Sequence, residues 1–465
     1  MKNIVLENLL VTGYAAEGKS LAKYEGKVIF MENAVPGDIV TVRLIKNKKD
    51  WAEGQVIRIN TYSPERIQPF CKHFGVCGGC QWQMLPYEKQ LEYKQEQVLQ
   101  SLKRIGKLEF PEIRPILGSA RTTGYRNKLE YTFSNRRYLL KEELADRKIS
   151  TIQNAAGFHA RGIFDKVVDV DICYLQEEPT NWIRKEVRRW AIENGVSFYD
   201  ILRHEGFLRN VQVRLCRTGE IMVNIVFGYL DEELQNNLLR HLQKQFPSIT
   251  TLLFTINPKR NDSLNDLQPV TFYGMGYVIE KLEKFSFKIG PKSFFQTNTA
   301  QAERLYQVVR EFAALNGTET IYDLYCGTGS IGIFLSDLAK KVVGIELIPE
   351  AVNDAKENAL LNQVHHAAFF EGDVTAICND AFLEANGRPD LIISDPPRAG
   401  MSDKLVAKLL EMAVEKIVYV SCNPATQARD LHLLSEKYQI SAVQPVDMFP
   451  HTLHIENVTA LFLKH

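Results

Sequence analysis

The residues Thr320-Ile-Tyr-Asp-Leu-Tyr-Cys-Gly-Thr-Gly-Ser-Ile-Gly332 decide the fold of the last third of the chain. The first six predict a short buried strand, and the glycine-rich turn after them predicts the start of a helix. A second strand, Val342-Val-Gly-Ile-Glu346, ends in an acid at about the spacing of the acids that bond ribose hydroxyls in dinucleotide-binding folds. Further strand-length runs alternate with helical stretches at Ala367–Phe370, Asp390–Ser394 and Ile417–Val420. This alternation predicts a parallel α/β sheet.

The ends of these strands predict where a ligand binds and of what kind it is. Glu371-Gly-Asp373 and Asp395-Pro-Pro-Arg398 follow the third and fourth strands, and ligands of open parallel sheets bind at the carboxyl ends of the strands. A carboxylate at Asp373 could reach an adenine amino group. The glycine-rich turn has neither the lysine pattern of a P-loop nor the full dinucleotide fingerprint, so a smaller adenosine-bearing cofactor fits better. The runs Ile440–Met448 and Val458–Leu463 predict an edge hairpin that closes the sheet.

The fifth strand leads to a cysteine that is the candidate nucleophile of the chain. Pro424 cannot continue the strand, so Cys422 is expected on the turn at the ligand-binding edge. Taken alone, Cys422 fits a small buried residue at a strand end better than a nucleophile. Considered together with the Asp395 loop and with Glu456, a candidate base, Cys422 fits a nucleophile better than a structural residue. Three other cysteines, Cys216, Cys326 and Cys378, have no matching partners and are expected to be structural.

Bulk composition indicates a multidomain globular protein. The chain has 465 residues, of which 45% are hydrophobic and 24% charged, enough for two or three domains with sizeable cores. Lys and Arg total 56, as do Asp and Glu, so a polyanionic partner would have to be met by local basic patches. No run reaches transmembrane length, and the N-terminus lacks the layout of a signal peptide. We therefore expect a cytoplasmic monomer with no membrane partner.

The first 60 residues or so predict a small β-barrel of the oligonucleotide-binding kind. Apolar and polar residues alternate through Lys2–Leu10, Lys27–Met31, Asp38–Ile45 and Trp51–Ile59, and turn signals at Gly13, Gly18, Glu25-Gly26 and Pro36-Gly37 separate these runs. Lys46, Lys48 and Lys49 predict a basic loop between two strands. Such a loop is either a solvated hairpin tip or a means of holding a phosphate backbone.

Four cysteines predict a metal centre. Cys71, Cys77 and Cys80 are close in sequence, and Gly78-Gly79 permits the tight turn with which two thiolates grip one centre. Cys173 follows a strand-like run and is the best fourth ligand. Zinc and an iron–sulfur cluster are both possible on spacing alone. A reducing compartment favours metal ligation over disulfides for such a cluster, and the spacing makes unligated buried thiols the weaker alternative.

The middle of the chain predicts a mixed α+β region with basic residues. A helical pattern runs from Pro86 to Gly106, and Leu129–Phe133 alternates as a strand. Trp182–Trp190 predicts a second, basic helix, for which ordinary surface charge is the better interpretation. Aromatic residues interleaved with basic ones are typical of RNA-binding proteins. The basic residues before the helix are Arg121, Arg126, Lys128, Arg136 and Arg137.

With these features in place, nearly the whole chain resembles the S-adenosylmethionine-dependent RNA uracil-5-methyltransferases. The motifs that carry the resemblance are Ser293-Phe-Phe-Gln-Thr-Asn298, Asp323-Leu-Tyr-Cys-Gly-Thr-Gly329, Asp395-Pro-Pro-Arg-Ala-Gly400, Tyr419-Val-Ser-Cys-Asn-Pro424, His454-Ile-Glu-Asn457, the four cysteines and Tyr125-Arg-Asn-Lys128. The resemblance implies three domains: a TRAM-like barrel that binds RNA (residues 1–62), an iron–sulfur and central RNA-binding domain (63–284), and a Rossmann-like α/β methyltransferase domain (285–465). The helix near 86–106 is expected to pack on the last of these.

The resemblance also implies the ligands. The four cysteines would hold a 4Fe–4S cluster. The cofactor site for S-adenosylmethionine would be lined by Gln296, Tyr325, Glu346 and Asp395, with Asp373 added by the argument from adenine. The family pattern differs at Ser330, where some members carry Asn, and Asp373 varies in kind among members.

The chemistry that these residues allow starts from the poor nucleophilicity of uracil C5. Addition of the Cys422 thiolate to C6 gives C5 carbanion character, so that C5 can attack the sulfonium methyl group. Glu456 is then the expected base for the C5 proton, as the family pattern also implies. A free thiol has a pKa of about 8.5, so the site is expected to favour the thiolate, with Arg398 or backbone amides contributing.

The resemblance favours 23S rRNA as the substrate, because family members with both the barrel and the cluster cysteines mostly act on rRNA. Three other functions compete with methylation of 23S rRNA. The substrate could instead be tRNA. An amino-group methyltransferase would use a motif like Asp395-Pro-Pro, but it would end that motif in an aromatic residue and would not need Cys422. A non-catalytic RNA-binding or assembly factor would bind RNA whether or not the cofactor is present.

Overall fold

The computed structural model describes residues 4–15, 18–145, 150 and 153–465. Its N-terminal part is a closed five-stranded barrel in the strand order β1-β2-β3-β5-β4, as the alternating pattern predicted. Inward-facing Leu9, Val11 and Ile29 are buried. The strands are β1 (Val5–Tyr14), β2 (Ser20–Tyr24), β3 (Lys27–Met31), β4 (Ile39–Asn47) and β5 (Trp51–Thr61).

Two details of the barrel differ from expectation. Gly13 was predicted to lie in a turn but lies inside β1, where the pairing with β2 shifts register between Val11 and Gly13. The glycine therefore marks a bulge in a strand, which a turn-residue argument does not distinguish from a turn. Strand β2 was not predicted, because its five residues alternate too briefly to stand out. Met1 to Asn3 lie outside the described residues, so the start of the run predicted from Lys2 is not tested.

A long helix follows the barrel and the cysteine segment. Helix α1 (Tyr87–Gln100) continues as a π-helical turn over Ser101–Gly106. Its buried positions recur every fourth residue, at Gln90, Lys94, Val98 and Leu102, which places them on one face. The second half of that face packs against the C-terminal part of the chain, where His432 Nδ1 lies 2.8 Å from the Gly106 carbonyl oxygen.

The central part is a seven-stranded mixed sheet in the order β12-β11-β10-β9-β6-β7-β8. Among its described strands, β10 and β11 are the one pair of neighbours that runs parallel, and helix α4 (Glu232–Gln245) connects them. The buried faces of α3 and α4 join the core of this sheet. The elements are β6 (Lys128–Ser134), α2 (Lys141–Ala145), β7 (Ala155–His159), β8 (Val167–Asp169), α3 (Thr180–Glu193), β9 (Leu208–Leu215), β10 (Ile221–Phe227), α4 (Glu232–Gln245), β11 (Thr251–Ile256) and β12 (Val270–Tyr273).

A hairpin, β13 (Val278–Leu282) with β14 (Phe285–Ile289), joins the central and C-terminal parts. The C-terminal part is a seven-stranded sheet in the order β17-β16-β15-β18-β19-β21-β20. Its first five strands are parallel, and β21 inserts antiparallel between β19 and the edge strand β20. This is the predicted α/β sheet with its edge hairpin.

Helices cover both faces of this sheet, so its strands are buried on both sides. The elements are α5 (Thr299–Ala313), β15 (Thr320–Leu324), α6 (Ser330–Leu335), β16 (Lys341–Glu346), α7 (Pro349–Leu361), β17 (Ala367–Glu371), α8 (Val374–Ile377), α9 (Asp380–Asn386), β18 (Leu391–Ser394), α10 (Asp403–Met412), β19 (Lys416–Ser421), α11 (Pro424–Leu434), β20 (Tyr438–Val446) and β21 (Glu456–Leu463). Among the described residues, no helix combines the length and apolar character needed to cross a lipid bilayer.

Candidate active site

The parallel strands bring most of the predicted site residues to one edge of the sheet. Tyr325 and Asp395 directly follow β15 and β18, Glu346 is the last residue of β16, and Cys422 directly follows β19. Strand β21 starts at this same edge, because Asn457 pairs with Ser421. Glu456, one residue before Asn457, therefore lies beside Cys422, one residue after Ser421. Residues from four strands and a hairpin converge there, as the topology of an open α/β sheet allows.

The glycine-rich turn and the second strand form one half of this edge. Glu346 accepts hydrogen bonds from the backbone N–H of Gly327 (3.1 Å) and of Ile348 (2.9 Å), which fixes its carboxylate at the mouth of the turn. Tyr325 has φ of +63°, a strained conformation for a non-glycine residue and one that recurs at functional sites. Burial raises the pKa of Tyr325 to about 12, and the nearby carboxylates of Asp373 and Glu346 add to this increase.

The two remaining predicted cofactor residues flank this half. Asp373 is exposed and caps α8, accepting from the backbone N–H of Thr375 at 2.8 Å. Gln296 is buried, and its backbone carbonyl oxygen accepts from Asn127 Nδ2 at 2.9 Å. The residue directly before β6 of the central sheet thus holds the Gln296 segment.

Cys422 lies half-buried between charged groups of opposite sign. Burial raises the pKa of its thiol to about 11, the carboxyl groups of Glu456 and Asp395 add to this increase, and Arg398 opposes it. The expectation that the site favours the thiolate is therefore wrong for this structure, because two carboxyl groups and lost hydration outweigh one guanidinium. The backbone carbonyl of Arg398 accepts from Asn423 Nδ2 and Thr426 Oγ1, both at 3.1 Å, which ties its loop to the start of α11.

The carboxyl groups of Glu456 and Asp395 are close enough for the charge of one to affect the other. Glu456 is buried, and lost hydration together with the charge of Asp395 raises its pKa well above the ordinary value. Burial also raises the pKa of Asp395 to about 7. Neighbouring carboxyl groups resist double ionisation, so the pair retains a proton near neutral pH. Both carboxyl groups also act on the ionisation of the Cys422 thiol.

The four cysteines of the N-terminal half line one cavity of about 240 Å³. Apolar side chains such as Phe74 and Phe158 complete its wall. Burial raises the pKa of Cys80 to about 12 and of Cys173 to about 11, and neighbouring thiols raise both pKa values further. Within the described part of the chain, no three His, Cys, Asp or Glu side chains are grouped closely enough for a metal ion. The thiols surround an open space and do not meet at a point.

Comparison with known proteins places the chain in a family. A TRAM domain model matches residues 7–57, a methyltransferase small domain model matches 305–419, and a tRNA (uracil-5-)-methyltransferase model matches 382–465. An uncharacterized RNA methyltransferase of Bacteroides thetaiotaomicron is 50% identical over 97% of this chain and 100% of its own length. Another, from Porphyromonas gingivalis, is 46% identical over 97% of this chain and 98% of its own length. The chain belongs to the RNA uracil-5-methyltransferases.

A solved structure supports both the fold and the cofactor of this methyltransferase. The tRNA (uracil-54, C5)-methyltransferase of Pyrococcus abyssi, in complex with S-adenosyl-L-homocysteine, superposes with a TM-score of 0.75 at 28% identity. The match covers 98% of this chain and 100% of the archaeal one. It therefore extends from the barrel to the C-terminal sheet. S-adenosylmethionine is the methyl donor that the family uses.

Two residues of the methyltransferase site were not singled out from the sequence. Asp323 is buried inside β15, where Oδ2 accepts from the backbone N–H of Gly332 at 2.9 Å and Oδ1 has no protein partner among the described residues. Burial raises its pKa to about 7, and Asp395 and Glu346 add to this increase. His454 Nδ1 lies 3.3 Å from Arg398 Nη2. Asp323 could have been found as an acid in an otherwise apolar strand, whereas the His454 contact depends on tertiary structure.

Several of the basic residues that were predicted to contact RNA form ion pairs with acidic side chains of the methyltransferase itself. Arg121 bonds to Glu177, Arg136 lies 3.3 Å from Asp165, and Arg137 lies 2.6 Å from Glu143. On α3, Arg189 pairs with two glutamates of the same helix, consistent with ordinary surface charge. Lys46 belongs to β4, not to the loop, and its Nζ lies 4.7 Å from the centre of the Trp51 ring. Lys48 and Lys49 follow β4 and are exposed.

Proposed function

We propose that this enzyme transfers the methyl group of S-adenosylmethionine to C5 of a uridine in RNA through a covalent bond between Cys422 and C6. The observation that carries the proposal is the position of a half-buried thiol beside the carboxyl groups of Glu456 and Asp395 at the ligand-binding edge of the sheet. An amino-group methyltransferase has no use for that thiol. A non-catalytic assembly factor has no use for a buried carboxyl pair. Burying such a pair costs folding free energy, so we expect it only where the pair serves a function.

The residues at the sheet edge fit an adenosine-bearing cofactor. S-adenosylmethionine supplies an electrophilic methyl group on a sulfonium. Glu346 presents a fixed carboxylate where ribose hydroxyls bind in related folds, and Asp373 lies beyond the third strand, where an adenine amino group is expected. We assign cofactor binding to Gln296, Tyr325, Glu346, Asp373 and Asp395.

The residues of this chain then act in a fixed order. Cys422 loses its proton to solvent and its thiolate forms the Sγ–C6 bond, which moves the C5–C6 electron pair toward an enolate at O4. C5 takes up the methyl group and still carries its proton. Glu456, as the carboxylate, removes that proton; the C5–C6 double bond re-forms and the Sγ–C6 bond breaks. The proton shared by Glu456 and Asp395 must therefore leave Glu456 before this last step.

A fluorinated substrate tests the covalent bond. Fluorine at C5 replaces the proton that Glu456 removes, so RNA with 5-fluorouridine should accumulate as a protein–RNA complex that survives denaturing electrophoresis. We expect the complex with the wild type and with Cys378→Ala, a buried cysteine in another part of the domain. Cys422→Ala should form none and should lose methyl transfer while still binding S-adenosylmethionine. An active Cys422→Ala enzyme would rule out the covalent scheme.

The substrate that we favour is 23S rRNA, with tRNA as the second candidate. The presence of both the barrel and the four cysteines supports rRNA, because the two features accompany each other mostly in rRNA enzymes. The Pyrococcus abyssi enzyme, which acts on tRNA, supports the alternative, because its match to this chain includes the barrel. Mass spectrometry of 5-methyluridine in rRNA and tRNA, from cells with and without the gene, distinguishes the two. Loss of the modification from tRNA alone would overturn the choice of 23S rRNA.

We also propose that Cys71, Cys77, Cys80 and Cys173 hold a 4Fe–4S cluster. A single zinc ion would draw all four sulfurs to within about 2.3 Å of one point, whereas a cluster binds each thiolate at a different iron. Thiols spaced around a cavity of about 240 Å³ fit the cluster better. Anaerobically purified protein should show visible absorbance and about four irons per chain. A colourless protein with one zinc would contradict the assignment.

We retain the proposed division into units 1–62, 63–284 and 285–465, and infer a monomer that acts in the cytoplasm. The boundary at 284/285 falls in the turn of the β13–β14 hairpin. The reducing cytoplasm suits both a free catalytic thiol and RNA as substrate. Light scattering coupled to size-exclusion chromatography tests the monomer, for which a mass near 53.1 kDa is expected.

A further inference from the structure

The loop between β20 and β21, residues 447–455, leads directly into Glu456 and carries His454. Its backbone contains a non-glycine residue in the left-handed region, His451 with φ of +65°. Such a conformation persists only where the surrounding structure holds it. Glu456 pairs with Val446, the residue directly before Asp447, so the groups that hold this loop act on Glu456 together with the pairing of β21.

Helix α1 holds the start of the loop through a fully buried ion pair. Lys94 Nζ lies 2.7 Å from Asp447 Oδ1, and both side chains are 0% exposed. The same Nζ donates to the carbonyl oxygen of Phe449 at 3.2 Å, while Asp447 Oδ1 also accepts from the Phe449 N–H at 3.1 Å. Asp447 Oδ2 accepts from the Tyr87 hydroxyl at 2.7 Å. One lysine thus fixes both a side chain and the main chain of the loop.

The same helix holds the middle of the loop through Gln90. Its Oε1 accepts from the backbone N–H of His451 at 2.8 Å, and its Nε2 lies 3.2 Å from His451 Nδ1. Gln90 Nε2 also donates to the carbonyl oxygens of Trp82 and Leu85. Gln90 lies one helical turn before Lys94, so both act from one face of α1.

Two other parts of the molecule also contact the loop. The backbone N–H groups of Gln81 and Trp82, which directly follow Cys80, donate to the carbonyl oxygen of His451 at 2.8 and 3.1 Å. Leu453 packs against a buried cluster formed by Val35, Trp82, Met84 and Leu85. The barrel, the cysteine segment and α1 therefore all contact this loop, which leads into the strand of the proposed base.

Stability alone does not explain a lysine at position 94. Removing a lysine and a carboxylate from water costs free energy that their attraction barely offsets, and apolar residues of similar volume often serve as well. A buried ion pair does hold its partners in one arrangement, because any other leaves a charge unpaired. Burial lowers the pKa of Lys94, and the carboxylate of Asp447 opposes this decrease only in part.

We propose that Lys94 is a positioning residue: through Asp447 and the Phe449 carbonyl it holds the β20–β21 loop so that Glu456 lies against Cys422. This inference rests on the proposed function. Loss of Lys94 should displace Glu456 and leave Cys422 in place, because Cys422 is fixed by β19 and α11. Addition to C6 and methylation then proceed, the C5 proton stays, and the Sγ–C6 bond does not break.

The test compares Lys94→Met with Lys89→Met, a lysine of the same helix whose ion pairs with Glu65 and Glu92 lie at the surface. With ordinary uridine RNA, Lys94→Met should accumulate the methylated covalent complex on a denaturing gel, as Glu456→Gln should. Its kcat should fall about 100-fold, the loss that displacement by about 1 Å produces. Its KM for S-adenosylmethionine should stay near the wild-type value. Lys89→Met should match the wild type in all three measurements.

The double variant Lys94→Met/Asp447→Asn covers the case in which a lone buried Asp447 unfolds the protein. It removes both charges and keeps an acceptor for Tyr87, so it should melt near the wild-type temperature and still accumulate the complex. A folded double variant with wild-type kcat would overturn the inference. If Glu456→Gln accumulates no complex either, the proposed function fails and not the role of Lys94.

Discussion

The thiol at the centre of the site is held in its unreactive form. Two carboxyl groups and burial raise the pKa of Cys422 to about 11, and Arg398 is the cation that opposes them. The reactivity of the sulfur is therefore limited by the small fraction of thiolate. At pH values below the pKa, this fraction rises about tenfold for each increase of one pH unit. The sequence predicted which residues meet at this sulfur, because Asp395 and Cys422 follow parallel strands and Glu456 begins the antiparallel strand beside them. It did not predict the balance of charge, which depends on burial.

Removal of the Arg398 charge should raise the pKa of Cys422 further. The rate of covalent complex formation with 5-fluorouridine RNA should rise with pH between about 6 and 9 in the wild type, since only the thiolate adds to C6. In Arg398→Gln the whole profile should move to higher pH, and at a given pH the rate should fall about tenfold if the thiol pKa rises by about one. Arg388→Gln, an exposed arginine before the amino end of β18, serves as control. Identical profiles for Arg398→Gln and wild type would contradict the role of Arg398.

At the scale of the element, the buried parallel strands were the easiest to predict. Strands buried on both faces are continuous apolar runs, so all five parallel strands were located to within a residue or two. The short β2 was missed, and the order of the central sheet could not be predicted. There β9 pairs with β6, about 80 positions earlier in the chain, and periodicity says nothing about such pairing. The polar buried face of α1 was missed because glutamine and lysine, which stand at positions 90 and 94, are mostly exposed in proteins.

The start of α6 lies so close to its neighbouring strands that it tolerates no side chain at Gly332. A methyl group there would lie 2.9 Å from Val342 Cγ1 and 3.0 Å from Asp323 Oδ2. Gly332→Ala should therefore destabilise the protein by about 1–3 kcal/mol. It should also weaken binding of S-adenosylmethionine, because the glycine-rich turn must move. Calorimetry of cofactor binding and thermal unfolding measure the two effects.

Gly13→Ala is the control for this prediction, since a methyl group at Gly13 meets nothing within 4 Å. It should bind the cofactor as the wild type does. Wild-type affinity in a folded Gly332→Ala protein would show that the turn does not contact the cofactor.

At the scale of the whole molecule, the cysteine cavity joins segments that are far apart in the chain. Cys71, Cys77 and Cys80 precede α1, whereas Cys173 follows β8 of the central sheet. A cluster bound there would cross-link the two and close a loop of about 90 residues, which stabilises mainly by restricting the unfolded chain. The sequence predicted the four cysteines as a set, and their shared cavity agrees with that set without identifying the metal.

Substitution of Cys173 should remove this cross-link. Cys173→Ser protein purified without oxygen should lose visible absorbance and iron, and its melting temperature should fall by several degrees, since each 1 kcal/mol lowers it by about 2–4 °C in domains of this size. Cys216→Ser makes the same change at a buried cysteine outside the cavity and should keep its iron. Full iron content in Cys173→Ser would exclude Cys173 as a ligand.

The packing of Leu453 has a consequence for any attempt to dissect the enzyme. A methyl group built on Gly18, in the barrel, would lie 2.0 Å from Leu453 Cδ2. The backbone of the barrel at Gly18 therefore packs directly on this leucine. A shortened protein that begins after residue 62 would uncover one side of Leu453, just before the strand that starts at Glu456. Such a fragment would have a lower kcat as well as a lower affinity for RNA. Its loss of activity would therefore not measure the RNA affinity of the barrel alone.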